Sequence, residues 1–154
     1  YAAGFLALNL LIVPGLFFGA TSLSRTLGGL KQIRPKAVFI DYAYTLVPLG
    51  LAAWIAFSLS FVLVNISYAV PVIADPFGWG WNLFGLRDVP WTPVLPALVP
   101  YLQVPVLLGG LAFSINAAWR IAQEQTKTHA LRAILPVVAF LMAVTLVLFA
   151  LYLG

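Results

Sequence analysis

Cysteine is absent from this 154-residue chain, histidine occurs once, and only four acidic residues are present. Without thiols the chain can form no disulfide, no Cys-ligated iron–sulfur cluster and no c-type haem attachment of its own. A buried bis-histidine haem needs two imidazoles, and His129 is the only one. The acids Asp41, Asp75, Asp88 and Glu124 are scattered, and neither a phosphate loop, a nucleophile elbow nor a metal-ligand spacing occurs. These absences argue against a self-contained enzyme, and the chain is expected to hold no metal and no cofactor of its own. A quinone at an interface is the one small molecule for which the sequence leaves room.

What the chain has instead is apolar bulk. Apolar residues make up 63% of it and charged residues 8%, and the mean hydropathy is +1.04, well outside the soluble range. Crossing the hydrocarbon takes roughly 20 apolar residues at about 1.5 Å each. Four segments reach that length: residues 1–20, 39–70, 94–119 and 133–153. The expected fold is an all-α integral membrane domain over residues 1–154, four transmembrane helices in an up-down bundle. Helix one carries Pro14 with Gly4, Gly15 and Gly19, which permit a kink or a close helix contact, and Thr21, Ser22 and Ser24 are expected to mark its end. Helix two is longer than the bilayer requires. Pro96, Pro100 and Pro105 predict a kinked or irregular entry to helix three. The run begins at Tyr1 without the basic lead-in of a signal peptide, so further sequence is expected upstream.

Charge gives the orientation. Arg25, Lys31, Arg34 and Lys36 lie between helices one and two, and Arg120, Lys127 and Arg132 lie between helices three and four. The positive-inside rule places loops 21–37 and 120–132 in the cytoplasm and both ends outside, with a prokaryotic cytoplasmic membrane as the expected location. The net charge of +4 is thereby explained as topology, and no nucleic acid partner is expected. Trp119, Arg120, Glu124 and Lys127 read as a solvated extension of helix three, with Glu124 and Lys127 at i, i+3.

The connection at 71–93 is the most unusual stretch, with Phe77, Trp79, Trp81, Phe84 and Trp91 inside fifteen residues. Aromatics among Gly and Pro suit an interfacial segment at headgroup depth. They also suit a docking surface for an extracytoplasmic partner, or a lid over a quinone-like ring. These five are the candidate partner-facing residues. Trp79, Trp81, Asn65, Asn116 and His129 are the candidates for a quinone, with His129 read first as a loop residue.

Among polar groups in the spans, Asp41 reads as a helix cap or as a partner for Lys36 rather than as a proton carrier. Ser58, Ser60, Asn65, Ser67, Gln103, Ser114 and Asn116 read as hydrogen bonds between helices. No acid falls near a midplane, which disfavours a carboxylate pathway for protons or cations. The two halves share no matching Gly or Pro pattern that would mark a transporter repeat.

Three stretches carry a resemblance: Tyr44-Thr45-Leu46-Val47-Pro48-Leu49-Gly50-Leu51-Ala52-Ala53, the segment from Asp75 to Gly85, and Ala118-Trp119-Arg120-Ile121-Ala122. They resemble the membrane portion of the four-iron polyferredoxin-type quinol dehydrogenases, the group related to nitrate reductase and nitrous oxide reductase accessory proteins. The resemblance implies helices that anchor iron–sulfur modules and pass electrons from quinol to periplasmic partners. The Cys runs are missing, and Trp54, Ile55, Ala56 and Phe57 stand where His is expected, so redox activity does not carry over. The expectation is a cofactor-free anchor or structural subunit of a respiratory or other electron-transfer complex, with lipid, membrane subunits and extracytoplasmic subunits as partners. The alternatives are a subunit that forms a quinol site and a permease-like or lipid-handling protein.

Overall fold

The computed structural model describes residues 2–86, 88–90, 92–94, 96–126 and 128–153. Arg87, Trp91 and Lys127 fall outside them. Among the described residues there is no strand, and four helical spans are long and apolar enough to cross a membrane: Leu8–Leu27, Pro35–Ala74, Pro96–Gln125 and Ala130–Tyr152. This is an all-α membrane bundle. The basic loops lie at one end, called here the basic end, and the connection after Ala74 lies at the other, the aromatic end.

The first span is built from α1 (Ala2–Ala7), a π-helical turn (Leu8–Ile12) and α2 (Val13–Leu27). The π turn sits immediately before Pro14, which has no N–H to give and whose ring crowds the carbonyl one turn back. Widening the turn accommodates both, and Val13 N–H donates to Leu8 O, five residues back. The span runs past the hydroxyl residues expected to end it. Of these, Thr21 bonds back into the helix, its Oγ1 donating to Phe18 O at 3.0 Å, and Thr26 further on does the same, its Oγ1 donating to Leu23 O at 2.8 Å. Gly28 ends it.

The second span begins with α3 (Pro35–Ala43), with Pro35 in the first turn, breaks at Tyr44 and Thr45, and resumes as α4 (Leu46–Asn65). Pro48 cannot donate to Tyr44 O, and the chain tightens there into i→i+3 bonds from Thr45 N–H to Tyr42 O and from Val47 N–H to Tyr44 O. Leu49 N–H instead donates to Ser114 Oγ of the third span at 3.1 Å. A broken helix in lipid needs such a partner. A 3₁₀ turn (Ile66–Tyr68) leads into α5 (Ala69–Ala74), so helix persists beyond residue 70. In the third span the irregular entry is confined to a 3₁₀ turn at Pro96–Leu98; α6 (Val99–Gln125) then runs unbroken through Pro105. The fourth helix, α7, covers Ala130–Leu153 and starts a turn earlier than expected.

Packing does not follow chain order. The first span docks chiefly on the fourth, the fourth on the third and the third on the second, while the first meets the second mainly through α3. The core lies toward the basic end, where Phe17, Val38, Tyr42, Ala118, Ala122, Ala133, Val137 and Leu141 are buried. Phe17 joins three helices, its ring 5.3 Å from Phe39 and 5.2 Å from Phe140. Small residues set the approach of α4 to α6, because a Cβ on Gly110 would stand 2.3 Å from Ala52 Cβ and 3.1 Å from Pro48 O. Two further side chains reach the α4 backbone: Gln103 Nε2 donates to Ala56 O at 3.0 Å and Tyr152 OH to Ala53 O at 3.2 Å. Ser114, Gln103 and Tyr152 therefore hold α4 by its main chain.

Candidate functional site

Two places concentrate polar or aromatic chemistry. At the aromatic end, Asp75 follows α5 and folds the next five residues around its carboxylate. Oδ1 accepts from Trp79 N–H at 2.9 Å and Oδ2 from Gly80 N–H at 2.8 Å, while Asp75 O accepts from Gly78 N–H at 3.2 Å. The tight path puts Gly78 at φ 68° and Gly80 at φ 82°, a region costly for residues with a Cβ. Three rings are thereby gathered: Phe77 stacks on Trp79 at 5.0 Å, and Trp81 meets both edge-on at 5.8 Å and 5.3 Å. Such pairs contribute about 0.5–1.5 kcal/mol each beyond area. Yet Phe77 and Trp79 remain 64% and 69% exposed, and Phe84 reaches 86% with a left-handed φ of 61°. The cluster is thus preformed and held outward, uncovered by the rest of the described chain. Ser67 Oγ donates to Thr92 O at 2.7 Å and accepts from Thr92 N–H at 3.3 Å, so it pins the end of the connection to the second span instead of joining helices.

Replacing Asp75 with Ala removes both carboxylate bonds, a loss of about 1–2 kcal/mol at this exposed position. The expected result is dispersal of the three rings, read as loss of the Trp79–Trp81 exciton signal in near-ultraviolet circular dichroism with the far-ultraviolet helix signal unchanged.

At the basic end, Arg25 is more than a topology determinant. Its Nε donates to Ile33 O at 2.7 Å and its Nη2 to Lys31 O at 2.6 Å, so one guanidinium fork closes the loop between the first two spans. Gly28 allows the approach to the fourth span, since a Cβ there would stand 2.8 Å from Ala133 Cβ, and Gly29 takes φ 69°. Asp41 is neither a cap nor a partner of Lys36. It lies in the last turn of α3, where its Oδ2 accepts from Gln125 Nε2 at 2.8 Å and ties the second span to the third. That bond fixes the amide orientation and leaves Gln125 Oε1 buried without a partner. Ser24 Oγ and Tyr42 OH are buried side by side there and have only one another to bond. An orphan group such as Gln125 Oε1 costs about 1–3 kcal/mol, and the junction is polar. Beside it lies a cavity of about 480 Å³ lined by Gly28, Gly29, Gln32, Gln125, Thr128 and His129, among others.

The quinone candidates lie at both ends and in the middle of the bundle. Trp79, Trp81 and Asn65 belong to the aromatic end, and Asn65 Nδ2 is engaged by Phe61 O of its own helix at 2.8 Å. Asn116 is exposed two residues beyond Ser114, which touches Leu49. Sixteen residues separate Leu49 from Asn65, or about 24 Å of helix, so no single ring meets both asparagines. His129 is exposed in the loop before α7, its N–H donating to Thr126 Oγ1 at 3.3 Å. Gln103 and Ser114 do join helices as expected; Trp119 is half-buried against the core rather than fully solvated. Gln125 and Tyr152 carry no signal in the sequence, whose local spacing gives no sign of partners 84 and 99 residues away, and Arg25 reads there only as a topology determinant.

Compared with known proteins, the chain matches no family model, no curated protein and no solved structure.

Proposed function

We propose that this chain is a structural membrane subunit that anchors a larger electron-transfer assembly, with loops 21–37 and 120–132 cytoplasmic and both ends outward. The observation that carries the reading is the outward face of the first span. Gly15 and Gly19 stand one turn apart, and a Cβ built on either meets nothing within 4 Å. In membranes this Gly-x-x-x-Gly spacing lets a second backbone approach closely, and dispersion and lipid release then favour association. Within this chain the face is unused: Leu8, Leu11, Gly15 and Gly19 all point away from the bundle. The aromatic cluster supplies a second surface, for a partner outside the bilayer. The electron-transfer part of the proposal rests on the resemblance of residues 44–53, 75–85 and 118–122 to quinol dehydrogenase membrane portions.

The test is purification from native membranes in mild detergent. Haem- or iron–sulfur-bearing subunits are expected to co-migrate with the wild-type chain, and Gly15→Leu with Gly19→Leu is expected to release them at least tenfold, about 1.4 kcal/mol, with helix content unchanged. A chain that migrates alone, without absorption above 400 nm in its fractions, would sink the proposal.

A subunit that forms a quinol site is the second reading. It is favoured by an apolar groove of about 510 Å³ between α4 and α6, lined by Val47, Leu51, Ile55, Pro105, Gly109 and Phe113, whose shape suits an isoprenoid tail. Quinone extracted in stoichiometric amount from the purified chain would move weight to it.

A further inference from the structure

We propose that the cavity at the basic end receives the phosphoglycerol headgroup of an anionic phospholipid. Its walls come from the loop between the first two spans and the loop between the last two, so it opens where helices end and headgroups lie. In a chain that is 63% apolar, the lining gathers polar groups beside Leu30 and Ile33: Gln32, Thr126, Thr128 and His129 carry amide, hydroxyl and imidazole groups. No carboxylate lines it, and the nearest in sequence, Asp41 and Glu124, are respectively engaged by Gln125 and turned outward. Lys31 lies within the lining stretch and Arg34 directly after it, both exposed. A phosphodiester answers this charge, and glycerol hydroxyls answer the Thr and Gln groups.

The cavity is also held in shape before any ligand arrives. The Arg25 fork fixes Lys31 and Ile33 by their carbonyls, Gly28 is wedged against Ala133, and Gln125 is held by Asp41. A site whose walls are already ordered loses less entropy on binding. Zwitterionic phosphocholine suits it poorly, since its quaternary ammonium adds a positive charge next to a loop that already carries Lys31 and Arg34 and has no hydroxyl to donate.

The experiment uses the full chain in nanodiscs of phosphatidylcholine containing about one-third phosphatidylglycerol, read by native mass spectrometry of retained lipid. The expected result is a ratio of phosphatidylglycerol to phosphatidylcholine among the retained lipids at least tenfold above that of the disc, about 1.4 kcal/mol. Thr128→Phe, which fills the cavity and leaves every charge in place, is expected to abolish the enrichment, as is Lys31→Gln with Arg34→Gln. Retention in proportion to the disc composition overturns the proposal. So does enrichment that survives Thr128→Phe, because the attraction would then be diffuse. Soluble glycerol phosphate that raises the melting temperature in pure phosphatidylcholine discs as much as phosphatidylglycerol does would overturn the lipid assignment in favour of a free anion. The reading of the first span as an assembly surface stands or falls separately, on Gly15 and Gly19.

Discussion

Gly110→Ala should separate α4 from α6 and lower stability by about 2–3 kcal/mol, at the upper end for overpacking. The added methyl meets Ala52 Cβ at 2.3 Å, Pro48 O at 3.1 Å and Leu49 Cα at 3.4 Å. None of these is the free end of a flexible side chain, so the helices themselves must move. Moving them also lengthens the bonds from Ser114 to Leu49 and from Gln103 to Ala56, which couples the steric loss to a polar one. Reversible unfolding in mixed micelles measures the effect. The second arm is compensatory: Ala52→Gly removes the atom at the shortest approach, so the double variant should regain at least half of the loss. An unaltered midpoint for Gly110→Ala would mean that the helices do not cross there.

Arg25→Lys keeps the charge and loses the fork. An ammonium is a point donor and cannot hold Ile33 O and Lys31 O in the same geometry, so the loop is expected to open at a cost of about 2 kcal/mol. Trypsin reads this directly. Cleavage after Lys31 should quicken by about tenfold or more in Arg25→Lys, because proteolysis follows the population of the opened loop. Equal cleavage rates would show that the loop is held by Leu30 burial and the Gly28 contact alone.

Sequence patterning reached the architecture because hydropathy and charge act through length and count, which are local quantities. The four spans, the two basic connections and the aromatic stretch were all visible that way. Span ends were less so, since Thr21 and Thr26 can either stop a helix or bond back into it, and only the neighbouring turn decides. Asp41 shows the same limit at longer range: its partner is Gln125, 84 residues on, whereas the nearby Lys36 was the obvious partner by spacing. The aromatic cluster was read as a set of residues, but its order depends on Asp75, whose role comes from backbone geometry around Gly78 and Gly80. Residue type, which marks the quinone candidates, carries no information on depth, and the helices spread them over both ends and the middle of the bundle.

The order of packing has a consequence for how the molecule is made. Synthesis delivers the first span first, yet its main neighbour is the fourth, which is completed about 125 residues later. At about 5–20 residues per second, the first span waits on the order of 10 s in the bilayer with α3 as its chief contact. During that interval Phe17 and the face destined for α7 are open to lipid and to every other nascent helix. Biogenesis of this chain therefore contains a vulnerable window, closed only when the last hairpin inserts and Phe140 reaches Phe17.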